Sequence, residues 1–232
     1  MNWSISLLGE DLIFPALHTA TPDGLLAIGG DLRPQRLLLA YRSGIFPWFN
    51  DDEPILWWSP DPRCVLYPTQ MYISKSLAKV IRQEQFFCTF DQDFETVIRS
   101  CSRIKRKGEH GTWITEDMFE AYVALHRLGY AHSVEVWAQD SGKLVGGLYG
   151  VSVGSVFAGE SMFSRVSNAS KVALAFLCKK VQKKNFAFVD CQIYNPHLGS
   201  LGAVEITRAD FAAHLAKAIQ MPDLVGNWGE IF

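Results

Sequence analysis

A change of texture near residue 62 divides this chain. Between Ile45 and Arg63, five aromatic residues and four prolines fall within nineteen positions. Because proline lacks a backbone donor, such a stretch is poor material for long regular elements. Just upstream, Pro34 suits the first turn of a helix, Leu37, Leu38 and Tyr41 supply an apolar stripe, and Gly44 is a natural terminator, which predicts a helix over 34–43. Residues 1–62 therefore read as a small, irregular N-terminal domain.

From Arg63 the pattern turns to regular α/β material. Apolar alternation and helical periodicity predict a strand at 63–67, a helix at 74–82, a strand at 86–91, and helices at 94–101 and 116–128. Strands over 131–137, 143–151 and 155–159, with a turn at Asp140-Ser141-Gly142, read as an antiparallel meander. Asn168 and Ser170 can cap a helix running to about Lys184, Phe186–Cys191 is a buried strand, and Arg208–Ile219 is a closing helix. The expected fold class is α/β (α+β), with a mixed sheet in a second domain over 63–232.

At 232 residues, 48% hydrophobic and 20% charged, the chain can bury a substantial core. No apolar run approaches the roughly 20 residues that span a bilayer, so no membrane partner is expected. The segment Met1–Glu10 lacks the basic start and apolar run of a secretory signal, which places the protein in the cytoplasm. Five scattered cysteines without a paired spacing make a disulfide framework or structural zinc unexpected, and no metal is assigned. A net charge of −2 means that any nucleic-acid contact must rely on local basic patches.

Seven short motifs then follow one another: Gly24-Leu-Leu-Ala-Ile-Gly-Gly-Asp-Leu32, Gly44-Ile-Phe-Pro-Trp-Phe49, Trp57-Trp-Ser-Pro-Asp-Pro-Arg63, Gly111-Thr-Trp-Ile-Thr115, Gly159-Glu-Ser-Met-Phe-Ser-Arg165, Asn168-Ala-Ser-Lys171 and Asp190-Cys-Gln192. In identity and order they resemble the motif set of the leucyl/phenylalanyl-tRNA–protein transferase family, over about residues 24–203. The resemblance implies a small N-terminal domain and a larger one similar to the N-acetyltransferase fold. It also implies an activity: transfer of Leu, Phe or Met from aminoacyl-tRNA to the α-amine of proteins beginning with Arg or Lys, marking them for N-end-rule degradation. The ester in aminoacyl-tRNA is already activated, so no cofactor is expected, and the chain has no phosphate-cradling loop. It also has no serine nucleophile elbow, so direct transfer without an acyl-enzyme is expected.

The resemblance assigns roles to residues whose types suit them. Asp190 and Gln192, two apart on a strand, would share one face, the aspartate polarising the glutamine and the glutamine carbonyl accepting a proton from the attacking amine. The plain alternative is a loop-capping Asp and a Gln that satisfies a backbone group. Glu160 follows an apolar strand, where a carboxylate needs a partner. It would form, with Asp190, an acidic site for the acceptor's Arg or Lys, or else pair internally with Arg165. Leu148, Phe157, Leu174 and Leu177 would wall the pocket for the transferred side chain, although Leu174 and Leu177 on one helical stripe also fit ordinary core. Trp48 and Trp113 would stack on the terminal adenosine, while Trp57 and Trp58 read as buried at the domain interface. For tRNA phosphates the densest cationic cluster is Arg99, Arg103, Lys105, Arg106 and Lys107, ahead of Lys179, Lys180, Lys183 and Lys184, and both could be solvated faces. Two other readings stay open: a coenzyme-A-dependent acetyltransferase, opposed by the lack of a glycine-rich turn in Ser164–Ser170, and a tRNA-binding module without catalysis.

Overall fold

The structure, a computed structural model, describes residues 5–104 and 114–232. The N-terminal segment contains β1 (Ser6–Leu8), β2 (Leu25–Gly29), α1 (Pro34–Arg42), β3 (Phe46–Pro47) and β4 (Leu56–Trp58). It is less irregular than its prolines suggest, because β1, β2, β4 and β3 join side by side in a four-stranded sheet. The strands are only two to five residues long, β2 and β4 lie between prolines, and Pro47 sits in β3 on the sheet's edge, where a missing donor is tolerated.

The second segment begins with β5 (Arg63–Leu66) and continues through α2 (Lys75–Arg82), β6 (Phe86–Phe90), α3 (Phe94–Ser102), α4 (Glu116–Arg127), β7 (Ala131–Ala138), β8 (Leu144–Val153) and β9 (Val156–Ser164). It ends with α5 (Ala169–Gln182), β10 (Phe188–Gln192), α6 (Pro196–Gly199), β11 (Val204–Ile206), α7 (Arg208–Ala218) and α8 (Trp228–Ile231). Ser74, Asp93, Thr115 and Thr207 each cap a helix by accepting a backbone N–H, which is why these helices start where the sequence places them. The cap of α5 differs from expectation. Asn168 lies in the left-handed region (φ 71°), and the Ser170 N–H is taken by the Ser164 hydroxyl instead.

The seven strands run in the order β11-β5-β10-β9-β8-β7-β6. The predicted meander β7-β8-β9 is antiparallel, and the β9–β10 pair is parallel, so the sheet is mixed as expected. Apolar side chains cover both faces, and β8 is buried along its whole length. One core joins α1, α3 and α4 to Tyr149, Val151 and Phe163, a second joins α5 and Trp228 to Val134, Leu148 and Phe157, and a third packs Phe211 and Leu215 of α7 on Val65, Val156 and Phe188. Each fully buried Leu or Phe contributes about 1.5–3 kcal/mol, so the sheet is clamped from both sides. No helix among the described residues is long and apolar enough to cross a membrane.

Candidate active site

Two β-bulges build the site. β9 and β10 pair in register through Asp190 and Ala158 and no further. Beyond that point β9 carries an extra residue, Glu160, between the partners of Tyr149 and Gly150, and β10 carries an extra residue, Cys191, between the partners of Val65 and Cys64. Bulges bend a strand and re-aim its side chains. The backbone at Gln192 is correspondingly left-handed, with φ 62°. Opposite the first bulge only glycine fits: a Cβ on Gly150 would lie 2.1 Å from the Ala158 carbonyl oxygen.

Where the strands part, a cavity of about 500 Å³ opens. Leu148, Phe157, Leu174 and Leu177 all line it while also belonging to the packed core, so the cavity wall is the face of the core. Phe46, Pro47 and Trp48 reach the same cavity from the N-terminal segment, and Met162, Ile193, Tyr194 and His197 complete much of the rim. Burial, with Lys171 adding to it, holds the His197 imidazole below its usual range.

Glu160 lies within β9 rather than at its end, on the cavity wall. Its Oε1 accepts from Gln192 Nε2 at 2.8 Å, and its Oε2 accepts from the Tyr122 hydroxyl at 2.8 Å. Behind Tyr122 stands the Tyr41 hydroxyl of α1, hydrogen-bonded to it. Burial pushes the Glu160 carboxyl up to about 7, although Tyr122, Tyr41 and Gln192 all favour its charged form. Burial likewise raises both phenols well above their usual range, so they remain neutral donors. The internal ion pair with Arg165 is not formed: that guanidinium donates to the Leu144 carbonyl and the Ser100 hydroxyl.

Asp190 is placed differently from the sequence expectation. It is 3% exposed and is not part of the cavity wall. Arg63 holds both its oxygens, Nε to Oδ1 at 2.8 Å and Nη2 to Oδ2 at 2.6 Å. Its contact with Gln192 is to the backbone N–H, at 3.0 Å, rather than to the carboxamide. Alternation on a regular strand would have put both side chains on one face, and the bulge at Cys191 separates them. Thus Glu160, not a Glu160–Asp190 pair, is the acidic group among the described residues lining the cavity.

Trp48 lines the cavity, is 39% exposed, and is tilted against Trp58 with ring centroids 5.7 Å apart. Trp57 is buried but donates to the Gly29 carbonyl and packs on Phe14, both within the N-terminal segment, and Trp58 is half-buried and donates to the Trp48 carbonyl. Arg99 stacks on Phe119 and pairs with Glu116 at 3.2 Å, while Arg103 is exposed. Trp113, Lys105, Arg106 and Lys107 lie outside the described residues. Sequence reasoning missed Arg63, Tyr41 and Tyr122 as parts of the site. Only Arg63 carried a signal, since an arginine opening an apolar strand needs a buried partner.

The model of the leucyl/phenylalanyl-tRNA protein transferase family matches residues 65–216, and the model of that family's N-terminal domain matches residues 30–61. The chain is 54% identical over 221 residues to a leucyl/phenylalanyl-tRNA–protein transferase from Syntrophus aciditrophicus, covering 95% of this chain and 92% of the relative. It is 53% identical over 226 residues to the one from Thermodesulfovibrio yellowstonii, covering 97% and 91%. With the Syntrophotalea carbinolica relative it shares 56% identity over 209 residues, 90% of each chain.

Proposed function

The chain belongs to the leucyl/phenylalanyl-tRNA–protein transferase family, and we propose from this premise that it moves Leu, Phe and Met from aminoacyl-tRNA onto the α-amine of proteins beginning with Arg or Lys. Residues 1–62 and 63–232 act as its two domains, and the marked proteins enter N-end-rule degradation in the cytoplasm. One observation carries the reading: a greasy cavity that ends in a hydrogen-bonded Glu160–Gln192 pair. The apolar end suits an uncharged side chain chosen by shape. The acidic end suits a cationic one, and a bidentate carboxylate contact favours Arg.

The acceptor's side-chain cation pairs with Glu160, which brings its α-amine beside Gln192. With the Gln192 amide nitrogen committed to Glu160, its carbonyl oxygen is the atom that accepts from the amine. A neutral amide is a weak base, so this contact chiefly orients the nitrogen lone pair toward the ester carbonyl. The C–N bond forms, the C–O bond to the terminal ribose breaks, and the amine's proton leaves with the ribose oxygen. Cys191 lies on the wall, but its contact with Cys64 and its burial raise the thiol well above its usual range, which argues against an acyl-thioester.

Incubating the purified protein with labelled Leu-tRNA and peptides that begin with Arg, Lys or Ala tests the reading. Label should pass to the Arg- and Lys-led peptides and leave the Ala-led one bare. Equal labelling of all three, or none, contradicts it.

A further inference from the structure

We propose that Arg63 is a positioning residue for transfer: through Asp190 it holds the backbone of Gln192 in the conformation that aims the carboxamide into the cavity. The inference rests on the aminoacyl-transfer reading and adds a residue that acts behind it.

Gln192 occupies a left-handed backbone conformation at φ 62°, which is uncommon for a non-glycine residue and is helped by a contact that fixes it. That contact is Asp190 Oδ1, which accepts the Gln192 N–H at 3.0 Å. A carboxylate as buried as this one keeps its place only beside a cation. Arg63 supplies it through two parallel bonds, and the same Oδ1 that takes the Gln192 N–H takes Arg63 Nε at 2.8 Å. The guanidinium cannot drift. It is 1% exposed, donates to the Gly44 carbonyl at 3.2 Å, and lies between the rings of Phe46 and Phe211 at 4.8 and 4.5 Å.

A chain of contacts thus runs from the N-terminal segment through Arg63 and Asp190 to the Gln192 N–H. A second runs from Tyr41 through Tyr122 and Glu160 to the Gln192 carboxamide. Backbone and side chain of one residue are held by two separate chains of contacts. On this account Asp190 neither receives a proton nor meets the acceptor's cation, because Arg63 already occupies it. The planar fork matters as well as the charge, since a lysine ammonium gives one point of contact where arginine gives two.

The test compares Arg63→Gln, Arg63→Lys, Asp190→Asn and the double variant Arg63→Gln/Asp190→Asn. Leucyl transfer to an Arg-led peptide, the backbone amide resonance of Gln192 and the melting temperature are measured for each. Arg63→Gln should lower kcat about 10- to 100-fold, the size of a lost charge-assisted hydrogen bond, with KM for the peptide changed less than about threefold. Arg63→Lys should recover part of that loss. The double variant should be no slower than the slower single one, because both changes break one chain. The Gln192 resonance should shift in Arg63→Gln and shift less in Arg63→Lys. If Arg63→Gln fails to fold, Arg63→Lys and the double variant decide by the same criteria. A lower melting temperature with kcat unchanged, losses that multiply, or an unmoved Gln192 resonance overturns the proposal. Absence of transfer by the unmodified protein instead overturns the functional reading, and the resonance still judges Arg63.

Discussion

Replacing Glu160 by Gln removes the acidic group among the described residues lining the cavity and leaves a side chain of nearly the same shape. In the native protein, burial moves this carboxyl from 4.5 to about 7. At 1.36 kcal/mol per unit, ionising it inside the protein therefore costs roughly 3 kcal/mol more than in water. A free acceptor α-amine titrates at about 7.7–8.0 and must be neutral to attack. Since kcat/KM reports the free enzyme and free substrate, two deprotonations are needed on the acid side, one on each partner. From about pH 5 to 6.5, log kcat/KM for an Arg-led peptide should then climb with a slope near two for the native protein and near one for Glu160→Gln. At pH 8 the variant should lose about 10- to 100-fold in kcat/KM for that peptide, the size of a charge-assisted hydrogen bond, and far less for Leu-tRNA. The sign for stability follows from the same shift. A carboxyl whose folded pKa lies above its unfolded one favours the folded state below about 4.5, and that contribution fades as pH rises through 7. Relative to Glu160→Gln, the native protein should thus melt progressively lower between those values. Transfer assays with labelled Leu-tRNA across this range decide the matter: a slope of two retained in the variant, or equal losses for peptide and tRNA, refutes the assignment of Glu160.

Tyr122→Phe removes one donor that favours ionised Glu160, so the acid limb should move up by a little under one pH unit, about 1 kcal/mol, with no new limb appearing; an unmoved limb would disconnect Tyr122 from Glu160. Phe157→Ala enlarges the cavity wall and should shift the preference among Leu-, Met- and Phe-tRNA by about 10-fold or more, the scale of one to two methylenes in an apolar pocket, as measured by competition between charged tRNAs. Neutralising Arg99 and Arg103 together with Lys105, Arg106 and Lys107 should flatten the dependence of tRNA affinity on salt by about 0.7–0.9 per lost phosphate contact, and an unchanged slope would remove this patch from the tRNA surface.

Much of this molecule was readable along the chain because its elements are decided locally. Ser74, Asp93, Thr115 and Thr207 cap the helices they precede, and the apolar meander 131–159 pairs as its alternation predicts. Leu148, Phe157, Leu174 and Leu177 were singled out by the family resemblance, whereas periodicity alone put Leu174 and Leu177 on one helical face as ordinary core, and all four are buried. The small N-terminal sheet escaped because its strands are too short to show a period. The polar end of the cavity escaped for a deeper reason. Strand alternation puts Asp190 and Gln192 on one face, and the extra residue at Cys191 undoes that geometry. Arg63 and Asp190 lie 127 residues apart, and Tyr41 and Tyr122 lie 81 apart, so nothing local announces either pair. Which carboxylate meets the cavity, and which is consumed by an internal arginine, depends on where two bulged strands separate, and that is decided only when β5, β9 and β10 pack together.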